Sequence, residues 1–192
     1  TSVSLDRNGE TLSAGDSVKV TIEAVSDEGK LDKYGYVNFQ AASDIANSSK
    51  TAYVYYDEEK GIYEGVLEVT EDTYPCEWYV NRIDISDTEN NQADDNAFTY
   101  NANYPYYIQV TNGNTFVNPT YDINISFSAL NENGEWETVQ KVQKENVERR
   151  QTLKEIGITF PEMKSKYPGF TQTGWTDYSG NPITEDTQII GN

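Results

Sequence analysis

The sequence predicts a mainly β chain in two parts, a β-sandwich over residues 1–103 and a smaller mixed α+β domain over residues 104–192. Three observations predict it. Short apolar runs with period-two alternation, about seven of them, fill the first half between turn signals, and none of that half has a helical period. The second half holds a hairpin signal at Asn133-Gly134, because Asn-Gly accepts positive φ at little cost. It also holds two T-x-x-E patterns, Thr152 to Glu155 and Thr159 to Glu162, which are helix-start signatures.

In the first half, Ser2–Leu5 reads as a short strand closed by the turn Arg7-Asn8-Gly9. Val18, Val20, Ile22 and Ala24 alternate with Lys19, Thr21 and Glu23, the pattern of a half-buried strand. Tyr34–Ala42 repeats it, with Val37 and Phe39 on one face. Thr51–Tyr56 carries Tyr53, Tyr55 and Tyr56, and the turn 57–61 leads to a return strand with Tyr63, Gly65, Leu67 and Val69 in one row. A glycine inside such a row marks close packing or a bulge. Trp78 and Val80 share one parity and Ile83 and Ile85 the other, so either a β-bulge sits near Asn81-Arg82, the favoured reading, or both faces of the strand are partly covered. Cys76 reads as a small buried residue at the entrance of that strand. A polar loop, 87–96, precedes a last strand, Ala97–Asn101. This spacing is that of an immunoglobulin-like β-sandwich without its disulfide pair.

Residues 102–106 are the expected joint, stiffened by Pro105. Beyond it, Tyr107–Asn112 reads as the first strand of the second domain. Ile123, Ile125, Phe127 and Ala129 alternate cleanly, and the Asn131–Gly134 turn leads to a return strand from Trp136. Val139–Arg150 reads as its extension, although Val139, Val142 and Asn146 also suit a helix face. The two T-x-x-E patterns predict one or two short helices, with Gly157 as a stop and Pro161 in a first turn. Strands are expected at Phe170–Thr176 and Gln188–Ile190.

Pro161, the run Tyr167-Pro168-Gly169-Phe170-Thr171-Gln172-Thr173-Gly174-Trp175-Thr176-Asp177, Gly180-Asn181 and Thr184-Glu185-Asp186-Thr187 together resemble the end of an internalin-type B repeat. That resemblance implies a β-grasp-like module in which a short helix follows two strands. Gly15-Asp16, Tyr63-Glu64-Gly65 and the pattern Trp78…Ile85-Ser86-Asp87…Asn91 resemble bacterial immunoglobulin-like domains. Both module types belong to long multi-domain proteins of Gram-positive cell surfaces. The resemblances therefore imply an extracellular, cell-surface or cell-wall setting.

Composition bounds the function. Thirty-two acids against 14 bases give a net charge of −18, which argues against nucleic acid and against contact with anionic membranes. No apolar run reaches the length of a membrane span. Thr1 opens in mid-pattern, as in an excised piece of a longer chain. There is no His, and the lone Cys76 has no base beside it, so no nucleophile is activated. Paired carboxylates are expected by chance among 32 acids, and Lys19, on an outward parity, is poorly placed for a buried isopeptide crosslink. The expectation is a non-enzymatic spacer and adhesion or protein-contact segment, with no resident cofactor; the alternative is a carbohydrate-binding module attached to an extracellular enzyme. Its partner would be a host or neighbouring surface protein, or a glycan.

Two residue groups are candidate sites. Asp84, Asp87, Glu89, Asn91, Asp94 and Asp95 offer hard oxygen ligands for calcium on and beside one loop, without EF-hand spacing; the alternative is a solvated acidic loop. Tyr53 and Tyr55 share a strand face, and Tyr104, Tyr106 and Tyr107 crowd the joint. These rings would stack against sugars if exposed; the alternatives are core packing and an interdomain contact.

Overall fold

The computed structural model describes residues 1–27, 29–43, 48–89, 91, 105–116, 118–162, 165–178 and 180–190. The chain divides into two compact units, Thr1–Pro119 and Thr120–Asn192, and it is mainly β.

The first unit holds β1 (Ser2–Leu5), β2 (Thr11–Leu12), β3 (Ser17–Glu23), β4 (Tyr34–Ala41), β5 (Ser49–Asp57), β6 (Ile62–Glu68), β7 (Glu77–Asp84) and β8 (Tyr107–Val110). They form one sheet in the order β1-β3-β6-β5-β4-β7-β8-β2. β2 runs parallel to β8, and the other neighbours are antiparallel. The two ends of this order, β1 and β2, are consecutive in the chain, so the sheet curls back on itself. β5 makes the turn of the curl: its Ser49–Tyr55 stretch pairs with β4, and its Val54–Asp57 stretch with β6.

Period-two patterning drives this curl. Val18, Val20 and Ile22 on β3 are fully buried, as are Val37 and Phe39 on β4 and Ala52 and Val54 on β5. With their inward rows, all eight strands contribute to one apolar core. The parity mismatch in β7 is resolved in the favoured way. Asn38 faces Arg82 while Phe39 faces Val80, which leaves Asn81 as the extra residue of a β-bulge. Trp78, Val80, Ile83 and Ile85 then all point inward, each 2% exposed.

Tyr107–Val110 corrects the expected boundary. This strand pairs with β7 and β2 and sends Ile108 and Val110 into the first core, so the boundary falls between Pro119 and Thr120 and not at residues 103–104. The edge beside β7 needed a partner, and β8 supplies it. The strand expected at residues 97–101 lies outside the described residues.

The second unit holds β9 (Thr120–Leu130), β10 (Trp136–Glu148), β11 (Trp175–Thr176) and β12 (Pro182–Ile183). β9 and β10 form a long hairpin. At its tip, the Asn131 Oδ1 accepts the backbone N–H groups of Asn133 (2.9 Å) and Glu135 (3.0 Å), and Gly134 takes a φ of 80°. β10 is a strand and not a helix. Its helix-like spacing of valines arises from two register shifts, between Thr138 and Gln140 and between Lys144 and Val147. Asn146 sits in the second with φ 55°, and its N–H donates to Asp122 Oδ1 at 3.0 Å.

The helices expected after the hairpin are not formed among the described residues. The first capping box does close: Thr152 N–H and Oγ1 reach Glu155 Oε2 at 2.7 and 3.0 Å. Gly157, with φ 70°, ends the turn, as the Ile158 N–H bonds Leu153 O at 2.8 Å. Start and stop signals this close leave a single turn. At the second box, Phe160 precedes Pro161, and a residue before proline is steered away from the helical region. Among the described residues the unit has no helix, so the α component expected of a β-grasp module is absent there. The expected strand Phe170–Thr176 is reduced to β11, and Gln188 makes one isolated bridge, to Thr152. The unit's core is small: Phe127, Leu153 and Ile158 are buried, with Phe160 and Trp175 set edge-on to Phe127.

Candidate functional site

The outward face of β4 and β5 is dictated by the inward one. With Val37, Phe39, Ala52 and Val54 in the core, the alternate residues Tyr34, Tyr36, Tyr53 and Tyr55 point to solvent. The register sets Tyr34 opposite Tyr55 and Tyr36 opposite Tyr53. The result is a two-by-two array of tyrosines on adjacent strands. Tyr34, Tyr53 and Tyr55 are 70%, 63% and 64% exposed, and Tyr36 is half-buried. Among the described residues no ring contact joins the four to one another.

Paired charges flank the array on both sides. On β6, Glu64 stands opposite Tyr55 and is bound by Lys19 Nζ at 2.5 Å and Lys60 Nζ at 2.7 Å. Those bonds, Lys19's above all, hold its carboxyl below the usual range. On β7, Asp84 stands opposite Tyr36. It accepts the Tyr36 hydroxyl at 2.8 Å and Arg82 Nη2 at 2.6 Å, and the Arg82 guanidinium lies 5.9 Å from the Tyr36 ring centroid. Donating to Asp84 raises the pKa of the Tyr36 phenol. The strongly acidic chain is thus locally neutralised beside its exposed rings.

The sequence singled out Tyr53 and Tyr55 but not Tyr34 and Tyr36. Their parity was readable, since they alternate with Val37 and Phe39; their adjacency to Tyr53 and Tyr55 depends on strand pairing. Tyr106 and Tyr107 lie elsewhere. Tyr106 packs against the first unit's own core. Tyr107 is half-buried against the N-terminal turn, where its N–H donates to Asn8 Oδ1 at 2.9 Å and its carbonyl accepts the Gly9 N–H at 2.7 Å. Neither is part of an exposed ring platform. Tyr104 lies outside the described residues.

In the described part of the acidic loop, Asp87 is bonded within the protein. The Asp87 carboxylate accepts the Ser26 hydroxyl at 2.6 Å, the Asn91 side chain at 3.1 Å, and the backbone N–H groups of Glu89 and Asn91 at 3.0 Å each. It is an anchor for its own loop. Asp84 is engaged on the strand face with Arg82 and Tyr36, so the two carboxylates have separate partners. Asp94 and Asp95 lie outside the described residues, and among the described ones no three His, Cys, Asp or Glu side chains gather around a common point.

The bonds to Asp87, led by Ser26 and Asn91, lower its pKa to about 2. The folded value lies below the roughly 3.9 of a free Asp, so this carboxylate's stabilisation is complete above about pH 4 and fades as pH falls towards 2. Asp87→Ala is therefore expected to melt several degrees below the wild type at pH 7. That gap should hold above about pH 4 and narrow steadily as pH falls from there towards 2. Melting curves of both proteins across this range provide the check, and a gap constant with pH would show that the ionised form is not what holds the loop.

No family model matches the chain, and no curated protein matches it. Among solved structures, Cwp6 from Clostridium difficile is similar over 74% of this chain, with 15% identity and a TM-score of 0.44. The chain spans 20% of the length of that protein.

Proposed function

We propose that this chain is a non-enzymatic contact segment of a bacterial cell-surface or secreted multi-domain protein, with the tyrosine array as its contact face. The carrying observation is the array itself: three large rings more than 60% exposed, aligned on paired strands rather than scattered. Tyr supplies much contact area for little lost side-chain freedom, which suits it to recognition. The absence of His from the chain and the full burial of Cys76 support a role other than catalysis.

An immunoglobulin-like reading of the first unit fits this role. Its order splits into β1-β3-β6-β5 and β4-β7-β8, the A-B-E-D and C-F-G sets of that fold, with the β4–β5 pairing joining them. Such units stack in series and place their faces away from an anchoring surface. The extracellular location rests on this reading and on the module resemblances in the sequence.

The test is adhesion. Beads coated with the chain should bind intact bacterial or host cells, and beads carrying Tyr34→Ala/Tyr53→Ala/Tyr55→Ala should bind several-fold fewer. Equal binding by the two coatings, with both proteins folded by circular dichroism, would remove the array from the contact role.

A further inference from the structure

We infer that the tyrosine array on β4 and β5 is a binding platform for a neutral, linear polysaccharide. The inference rests on the contact reading above and names the chemical class of its ligand. Three features of the face select that class.

The first is ring spacing. Tyr34 and Tyr36 are two residues apart on one strand, as are Tyr53 and Tyr55 on the next. Strand geometry separates their Cα atoms by about 7 Å along the strand and by about 5 Å between strands. No ring contact joins them among the described residues, so each presents itself separately. A repeating ligand with one flat apolar face per unit can use several such rings at once. A pyranose chain has that form: its axial C–H groups make an apolar face and its hydroxyls a polar rim.

The second is the company the rings keep. The next rung of the same face is Asn38 opposite Thr51, and the one after it is Gln40 opposite Ser49. These four side chains donate and accept hydrogen bonds, and Val66 of β6, 52% exposed, adds one aliphatic group beyond them. A protein partner would favour a continuous apolar centre with few hydrogen-bonding groups. Rings set among amides and hydroxyls suit a ligand that is itself ring-shaped and hydroxylated.

The third is charge. The chain carries −18, yet the two carboxylates flanking the array are both ion-paired, Glu64 with Lys19 and Lys60 and Asp84 with Arg82. Neither flanking carboxylate is therefore left free to hold a cationic polymer, and the three cations beside them are already engaged. The overall field repels polyanions. A neutral glycan meets neither obstacle, and the paired groups remain able to hydrogen-bond its hydroxyls.

Native gel electrophoresis of the whole chain in gels containing soluble β-glucan, xylan or mannan, with polygalacturonate as the anionic control, tests the inference. Retardation is expected by at least one neutral polymer and not by polygalacturonate. Tyr53→Ala/Tyr55→Ala should weaken it about tenfold or more, whereas Tyr53→Phe/Tyr55→Phe should retain most of it, because stacking needs the ring. Tyr34→Ala serves as a second variant should the double substitution lower the melting temperature. Free migration in every neutral polymer, retardation unchanged by loss of the rings, or retardation by polygalacturonate alone would each overturn the inference. If migration is free but bead adhesion still falls on removal of the rings, the contact role stands and its ligand is a protein. If neither assay responds to the rings, both readings fail.

Discussion

Trp78→Ala is expected to lower the stability of the first unit by about 4 kcal/mol, a large share of the margin of an ordinary domain. Trp78 is 2% exposed, and its indole sits inside the single core to which all eight strands contribute. Removing it loses the transfer energy of a large ring and leaves a void that the curled sheet closes poorly. Its Nε1 also donates to the Tyr74 carbonyl at 2.9 Å, which fixes the turn entering β7. Trp78→Phe keeps most of the volume and loses only that bond and part of the ring, so about 1–2 kcal/mol is expected. Urea denaturation followed by circular dichroism measures both. A loss for Trp78→Ala no larger than that for Trp78→Phe would show that the bond, and not the packed ring, is what the position supplies.

Trp78 also shows which parts of the fold could be read in advance. Its parity against Ile83 and Ile85 favoured a bulge near Asn81-Arg82 over a strand covered on both faces, and the bulge is there at Asn81. A period-two pattern is a local property, and so is its violation. The alternation of β3, β4 and β9 was legible for the same reason. The domain boundary was not, because Pro105 and its neighbours look like a joint in sequence. Only the open edge of β7, a partner distant in the chain, shows that Tyr107–Val110 closes the first sheet. The first expected helix failed by length. Thr152 and Glu155 do form a capping box, but Gly157 ends the turn two residues after Glu155, and a helix of one turn gains too little from propagation to persist.

The candidate site divides along the same line. The outward parity of Tyr53 and Tyr55 is written in Ala52 and Val54, and that of Tyr34 and Tyr36 in Val37 and Phe39. What sequence could not supply is the register that sets the two pairs side by side. The pairing of Glu64 with Lys19, 45 residues away, was equally hidden. Charge counting alone gave a uniformly acidic surface. In the acidic loop, composition left a calcium site and a solvated loop as alternatives; the bonds of Asp87 to Ser26, Asn91 and two backbone N–H groups were not legible there.

Gly65→Ala and Gly35→Ala are expected to lower stability by about 3 kcal/mol each and to disturb the tyrosine array as well. A Cβ on Gly65 would lie 2.3 Å from the Tyr53 carbonyl oxygen and 2.8 Å from Val54 Cγ1; one on Gly35 would lie 2.5 Å from the Asp84 carbonyl oxygen and 2.4 Å from Ile85 Cγ2. In each case a backbone oxygen obstructs, and it moves only if the strands part. Gly113→Ala isolates the other reason for glycine: its φ is 72° and nothing lies within 4 Å of its added Cβ. Conformational strain alone should cost about 1 kcal/mol there. Equal losses at Gly65 and Gly113 would count against close strand approach as the reason for Gly65. The two crowded glycines also lie under the array. Gly35 falls between Tyr34 and Tyr36, and Gly65 pairs with Val54, which falls between Tyr53 and Tyr55. Forcing β5 away from β6, or β4 away from β7, shifts two of the four rings relative to Glu64 or Asp84. Gly65→Ala should therefore weaken bead adhesion at a temperature where the variant is still folded, while Gly113→Ala should not. The requirement for glycine at these positions would then be one requirement with two consequences: strands close enough to seal the core, and rings held in register on its outer face.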